Sequence, residues 1–299
     1  IFGANAIEII PPKTDDDDWS PHFKLPHLDM CAEQSRVADS YGMDVWMWYP
    51  NMGKDEDYQN PKGIKEQLAE REEVFKKMPR LDVVFVPGGD PGDLYPDILF
   101  SWLKKVSVVL RKYHPQATIW VSPQVFRPTQ GWIDSFYDHV NNNPDWFGGV
   151  VFGPWVKTSL PELRQRIHSQ IPIRRYPDIT HSISCQYPVP QWDIAFAMTL
   201  GRECINPRPV DHKIIHNLLD EFAIGSIAYS EGTNDDVNKF IWLDQDWNPD
   251  LPVIETLRDY SRLFIGAELT DEFSQGLLAL EQNWRGPLLA NDGVETTLL

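Results

Sequence analysis

The sequence predicts an α/β chain wound as a TIM (β/α)8 barrel, with the first strand absent or supplied by an upstream segment. Three observations point there. Short apolar runs rich in β-branched and aromatic residues recur every ~30 to 50 residues, each followed by a helical pattern. The runs are apolar on both sides, as strands of a parallel sheet are. The turn after the first run, Ile9-Ile10-Pro11-Pro12, is no Gly-rich phosphate loop, which argues against an open nucleotide-binding sheet.

The strands are expected at 6–10, 45–49, 83–86, 118–121, 150–152, 173–176 and 226–229, each bounded by Gly, Pro or Asn. Helical patterns lie between them. The pattern over 27–41 gathers Leu28, Cys31, Val37 and Ala38 near one face, and Gly42 follows as a stop signal. Residues 66–78 form a charged amphipathic stretch. Residues 98–113 bring Ile98, Leu99, Trp102, Leu103, Val106, Val109 and Leu110 into one apolar stripe. Patterns over 132–140, 161–169 and 213–222 complete the series, and an acidic, Leu-rich helix is expected over 272–284. The division expected is a barrel over 1–266 and a C-terminal helical tail over 267–299.

The chain opens directly in a strand, without an initiator Met or a basic leader. The expectation is a chain processed from a longer one, with an upstream domain of that chain as a partner. A secreted or periplasmic location is compatible with this start.

Composition narrows the function classes. The 299 residues carry 27 Lys+Arg against 44 Asp+Glu, a formal net charge of −17, so a phosphate backbone is repelled and nucleic-acid binding is not expected. No apolar run approaches the ~18 residues of a membrane span. Three cysteines without a CxxC spacing suggest neither a disulfide framework nor a structural zinc site. Twelve Trp exceed what a core of this size needs, and aromatic faces stack on the apolar faces of sugar rings.

In a barrel the chemistry sits at the C-terminal ends of the strands. Those positions here are polar and aromatic. Glu8 lies in the first strand, and Trp48 and Tyr49 end the second. Asp90 and Asp93 follow Gly88-Gly89 after the third, and Gln124 follows the fourth. Tyr176, Asp178 and His181 end the sixth, with Tyr187 and Trp192 beyond, and Glu231, Asn234 and Asp235 follow the seventh. Asp93 and Asp235 also read as helix caps, His181 as a hydrogen-bonded wall residue, and Asp15 to Asp18 as a solvated loop. Glu8 and Glu231 are harder to dismiss, because a carboxylate in or at the tip of an apolar strand is costly to bury unpaired. Two glycines before Asp90 let the backbone approach a ligand closely. Asn51 joins Gln124 and Asn234 as a hydroxyl binder by position. Arg174-Arg175 reads as a surface ion-pair site, with bidentate capture of a uronate carboxylate as its alternative.

Carboxylates at several strand ends, ringed by Trp, Tyr and Gln, describe a sugar pocket. Glycoside hydrolysis needs a protonated acid at the leaving oxygen and a carboxylate opposite it. The segment Phe85-Val-Pro-Gly88-Gly89-Asp90 is similar to the Gly-Gly-Asp-Glu motif of the barrel β-N-acetylhexosaminidases of family 20. The α-glucuronidases and the family 84 hexosaminidases are more distant relatives. The resemblance implies that Asp90 orients a substrate acetamido group. It departs at the acid position, where this chain has Pro91, which transfers no proton.

The leading expectation is an exo-acting glycosidase on an N-acetylhexosaminide or a uronide. Its catalytic candidates are Asp90 and Glu231, with Glu8 or Asp93 in reserve, and it needs no cofactor or metal. The alternatives are a saccharide-binding barrel without catalysis, which Pro91 favours, and a metal-dependent barrel using Glu8, Asp90, His181 and Glu231. That last has fewer His at its strand ends than metal barrels show.

Overall fold

The computed structural model describes residues 2–14, 20–89, 91–92, 94–179, 207–230, 236–283 and 285–298. The chain divides into two compact units, Ala4–Arg174 and Ile1–Gly3 with Arg175–Leu299.

The first unit alternates strand and helix: β1 (Ala6–Ile9), α1 (His27–Ser40), β2 (Asp44–Trp48), α2 (Asp55–Gln59), α3 (Pro61–Lys77), β3 (Val83–Gly89), α4 (Pro96–Tyr113), β4 (Thr118–Val125), α5 (Gln130–Asn141), β5 (Phe147–Phe152), α6 (Leu160–Arg166) and β6 (Ile173–Arg175). Local chemistry sets the helix starts. Pro61 and Pro96 stand in the first turns of α3 and α4. Asn60, Thr129 and Ser159 accept from the backbone N–H groups of Gly63, Trp132 and Glu162, capping α3, α5 and α6.

The six strands lie side by side in chain order, and β1 to β5 pair in parallel. Right-handed crossovers that never reverse direction put every helix on the same side of the sheet. The two faces therefore differ. In register, Glu8 lies beside Trp46, Trp48 beside Phe85, Phe85 beside Trp120, and Pro87 beside Ser122. The alternate residues Ile9, Val45, Met47, Val84, Val86, Ile119, Val121 and Val150 are buried aliphatics on the helix side.

The sheet is curled. Arg174 of β6 donates from Nη1 to Glu8 Oε2 of β1 at 2.9 Å. In a flat sheet these outer strands would stand five spacings of ~4.8 Å apart, roughly 24 Å, beyond the combined reach of both side chains. The pair therefore requires the sheet to bend toward its aromatic face, and helices on the opposite side suit that curvature. The described residues form a curled, six-stranded parallel half-barrel, and a complete eight-stranded barrel is not seen among them.

Glycines allow two close approaches. A Cβ on Gly149 would lie 2.6 Å from the Trp120 ring, so the indole approaches β5 this closely only because no side chain stands there. A Cβ on Gly88 would lie 2.4 Å from the Ser122 carbonyl oxygen. The Gly88 requirement is thus strand against strand.

The second unit is built on α7 (Pro209–Leu219), α8 (Asp236–Trp247), α9 (Val253–Phe264), α10 (Thr270–Gln282) and α11 (Asp292–Leu298). Val237, Ile241, Leu257 and Leu277 form its apolar centre, with Tyr260 and Phe273 against them. The expected seventh strand is an extended segment. Residues 225–229 run parallel to 175–179 through hydrogen bonds from Arg175 N to Gly225 O (2.9 Å) and from Ile179 N to Tyr229 O (2.8 Å). Glu281 of α10 accepts from the backbone N–H groups of Val210 (3.1 Å) and Asp211 (2.8 Å), so a carboxylate from the expected tail caps α7.

His212 is fully buried on α7 and accepts at Nδ1 from Trp242 Nε1 at 3.1 Å. Burial, helped by the Arg208 charge, holds its pKa well below the ordinary histidine value. Below pH ~6.5 the unfolded chain takes up a proton that the folded chain refuses, so this stability is full above that pH and falls with acidification. The slope is at most about 1.4 kcal/mol per pH unit. His212→Asn, which keeps an acceptor for Trp242, is expected to flatten it. Urea midpoints of both chains between about pH 8 and pH 5 check this, and parallel curves would refute it.

Candidate functional site

In the first unit the rim at the strand C-termini carries Trp48 from β2, Ser122 and Gln124 from β4, and the residues just past β4 and β5. Trp48 is half-buried on the aromatic face. Ser122 is fully buried and Gln124 5% exposed, and the Gln124 N–H donates to Ser122 Oγ at 3.2 Å. Gln124 also bridges Val156 in antiparallel fashion, which ties the loop after β5 to the end of β4. Phe126, 53% exposed, meets the half-buried Trp155 with ring centroids 4.9 Å apart at 48°. The exposed Lys157 places its ammonium 5.1 Å from the Trp155 centroid. Phe126 and Trp155 carry the sequence signal of an aromatic within three residues of a strand end, whereas Lys157, five residues past β5, carries no such signal.

Below this rim stands Glu8. Its register partner Trp46 precedes Trp48 by two residues, about 7 Å along the strand, so Glu8 belongs to an interior layer. Its side chain is 11% exposed and that of Arg174 is 4% exposed. The guanidinium lies 4.5 Å over the Trp46 ring and 5.1 Å over Phe85. Burial pushes the Glu8 pKa up, and Arg174 pulls part of that back. This carboxylate ties β1 to β6 through Arg174.

Tyr49 and Asn51 point elsewhere. Tyr49 is 2% exposed on the helix side, edge-on to Phe75 of α3 and 4.6 Å from the Arg71 guanidinium. Burial pushes its phenol up. Asn51 is 1% exposed, and its Oδ1 accepts from Trp102 Nε1 at 2.9 Å and Arg71 Nη2 at 3.2 Å. Both residues hold α3 and α4 behind β2, and neither is open to a sugar.

In the second unit Tyr176 and Asp178 come together with Tyr229. The Tyr176 and Tyr229 rings meet edge-on at 5.9 Å, and Asp178, 1% exposed, is bridged in parallel to Tyr229. The segment carrying these candidates is thus paired with the one that runs on to Glu231.

Arg174 and Arg175 correct the surface reading, since both are buried. Arg175 donates from Nη1 to the His216 carbonyl at 2.7 Å and from Nη2 to Asp220 Oδ1 and Asp246 Oδ1, each at 3.1 Å. His216, Asp220 and Asp246 are spaced closely enough to hold a metal ion. His216 Nε2 stands 2.8 Å from both Asp246 Oδ1 and Arg175 Nη2. The guanidinium thus sits among the three ligand atoms, and its charge is the one the carboxylates meet.

Asp90, Asp93, His181, Tyr187, Trp192, Glu231, Asn234 and Asp235 lie outside the described residues. No helix among the described residues is long and apolar enough to cross a membrane.

No family model matches the chain, and no curated protein matches it in sequence. The family 20 resemblance therefore stands on its short motif alone. Solved structures give distant likenesses. The spore cortex-lytic enzyme SleL of Bacillus megaterium QM B1551 matches at 13% identity over 72% of this chain and 62% of its own, with TM-score 0.44. A family 89 glycoside hydrolase from Clostridium perfringens matches at 11% identity over 90% of this chain and 32% of its own, with TM-score 0.49. D-psicose 3-epimerase from Clostridium cellulolyticum H10 matches at 14% identity over 93% of this chain and 90% of its own, with TM-score 0.42. The chain thus spans under two thirds of the first two, and at such identities none of the three carries its chemistry over to this chain.

Proposed function

We propose that this chain is an exo-acting glycosidase of an N-acetylhexosaminide or a uronide. The observation that carries the reading is the segregation of the half-barrel sheet. Its aliphatic face meets helices, while its other face holds a closed layer of Trp46, Phe85 and Trp120 under the Arg174 guanidinium and, above it, a rim where Trp48 and Trp155 are half-buried and Phe126 is exposed. Aromatic walls with a few polar groups suit a ring that is apolar on its faces and polar at its edge.

The catalytic groups proposed are Asp90 and Glu231. Asp90 follows Gly89, the last residue of β3, and Glu231 follows the segment that pairs with Tyr176 and Asp178. Glu231 is assigned the proton for the leaving oxygen. Asp90 is assigned the positioning of an acetamido group or the stabilisation of positive charge at the anomeric carbon. Glu8 is assigned the Arg174 ion pair instead of catalysis, and the half-buried Trp48 and Tyr176 are assigned to substrate binding.

Release of the aryl group from a panel of aryl glycosides, N-acetylhexosaminides and glucuronides tests the reading. Turnover of one class is expected. Saturable sugar binding with no turnover on any member would replace it by the binding-only barrel, with Pro91 as the physical reason.

A further inference from the structure

We propose that Phe126 and Trp155, with Lys157 beside them, form a subsite for a sugar unit that bears a carboxylate. The inference rests on the saccharide reading and adds the charge class of the ligand. Phe126 stands one residue past β4 and Trp155 three past β5, where ligand-binding loops of such sheets lie. Their rings make an angled, solvent-facing pair at 4.9 Å and 48°. Trp155 is held there with φ at +62°, a conformation uncommon for a residue with a side chain, and the Gln124–Val156 bridge fixes the next residue.

Charge selects the ligand. The chain carries 44 acidic residues against 27 basic ones, yet residues 118–133 and 146–161 contain no Asp or Glu. The exposed charges on these two segments are Arg127 and Lys157, a local positive charge on an otherwise acidic chain. The buried alternatives are committed, Arg174 to Glu8 and Arg175 to Asp220 and Asp246. A sugar stacked on the aromatic pair holds an equatorial carboxylate in its ring plane, at the edge. The Lys157 ammonium, 5.1 Å from the Trp155 centroid, is within reach of that edge. Its exposed contact with the indole is weak enough to yield to a carboxylate.

Calorimetric titration of the full chain with a uronic acid trimer, its neutral hexose counterpart and a sulfated trimer tests this. The uronate trimer is expected to bind more tightly than the neutral one, with a lead that shrinks in high salt. Lys157→Ala is expected to lower uronate affinity ~5-fold and leave neutral affinity unchanged. Phe126→Ala is expected to lower both by ~10-fold. Trp155→Gly should do the same while keeping the local backbone, because glycine accepts the positive φ. Equal affinity for charged and neutral trimers, or a Lys157→Ala loss shared by both, would overturn the carboxylate assignment while the saccharide reading stands. A sulfated trimer that binds more tightly than the uronate would overturn it too. No binding of any trimer would overturn both.

Discussion

Arg174→Met is expected to destabilise the chain by ~3–5 kcal/mol, among the largest losses any single substitution in the half-barrel should give. The substitution leaves Glu8 ionisable, 11% exposed and without its partner, beside the Trp46 ring. Burial alone already pushes that carboxyl's pKa up. It also removes the tie between β1 and β6, the contact that requires the sheet to bend. Glu8→Gln should cost less, because the amide oxygen can still accept from Arg174 and only the charge is lost. The double variant Glu8→Met with Arg174→Met separates charge from shape. Two apolar chains of similar length can fill the same interior layer, so the double variant should be more stable than Arg174→Met alone. Urea midpoints of these chains and of Glu8→Met, which completes the cycle, measure the coupling. Additive losses, or a loss below ~1 kcal/mol for Arg174→Met, would mean that the half-barrel closes without the pair.

The same pair shows where the sequence was readable and where it was not. Every strand of the half-barrel begins within three residues of the position its apolar run marks, because two-sided burial leaves a local imprint of β-branched and aromatic residues. The side a residue faces was legible only through the period of two. The strand end offers both Trp48 and Tyr49 to a site, yet successive strand residues face opposite ways, and Tyr49 packs against Phe75 of α3. Arg174 and Arg175 separate in the same manner, one to Glu8 and the other to Asp220, Asp246 and His216. Their partners lie 166 and 41 or more residues away, and no local pattern announces such a distance. Helices α8 and α9 were not anticipated. Residues 236–247 follow an acidic run, and the pattern of Val253, Leu257, Tyr260 and Phe264 is amphipathic but starts behind Pro252 without a side-chain cap. The candidate carboxylates, by contrast, were legible only as positions after strand ends.

Glu231→Gln and Asp90→Asn are expected to lower kcat by ~10²–10⁴-fold, the usual worth of a positioned proton donor or its equivalent. Pro91 makes the assignment testable in a way that a simple loss of activity is not. The residue after Asp90 has no proton to give, so the donor must come from another carboxyl, and Glu231 is the one proposed. A donor matters in proportion to how badly the leaving group needs a proton. With a phenyl glycoside, whose leaving oxygen is basic, Glu231→Gln should show the full loss. With a dinitrophenyl glycoside, which departs as a stable anion, the same variant should retain most of its rate. The acidic wild type should also lose rate at high pH, as the donor ionises, and the variant should not show that limb. Asp90→Asn should slow both substrates alike, because charge at the anomeric carbon develops whichever group leaves. The melting temperature of each variant, compared with wild type, establishes that the fold is retained. If Glu231→Gln slows both substrates equally, Glu231 is not the donor, and Asp93 becomes the carboxyl to replace next. If both variants keep full activity with folding intact, the catalytic pair proposed here is wrong.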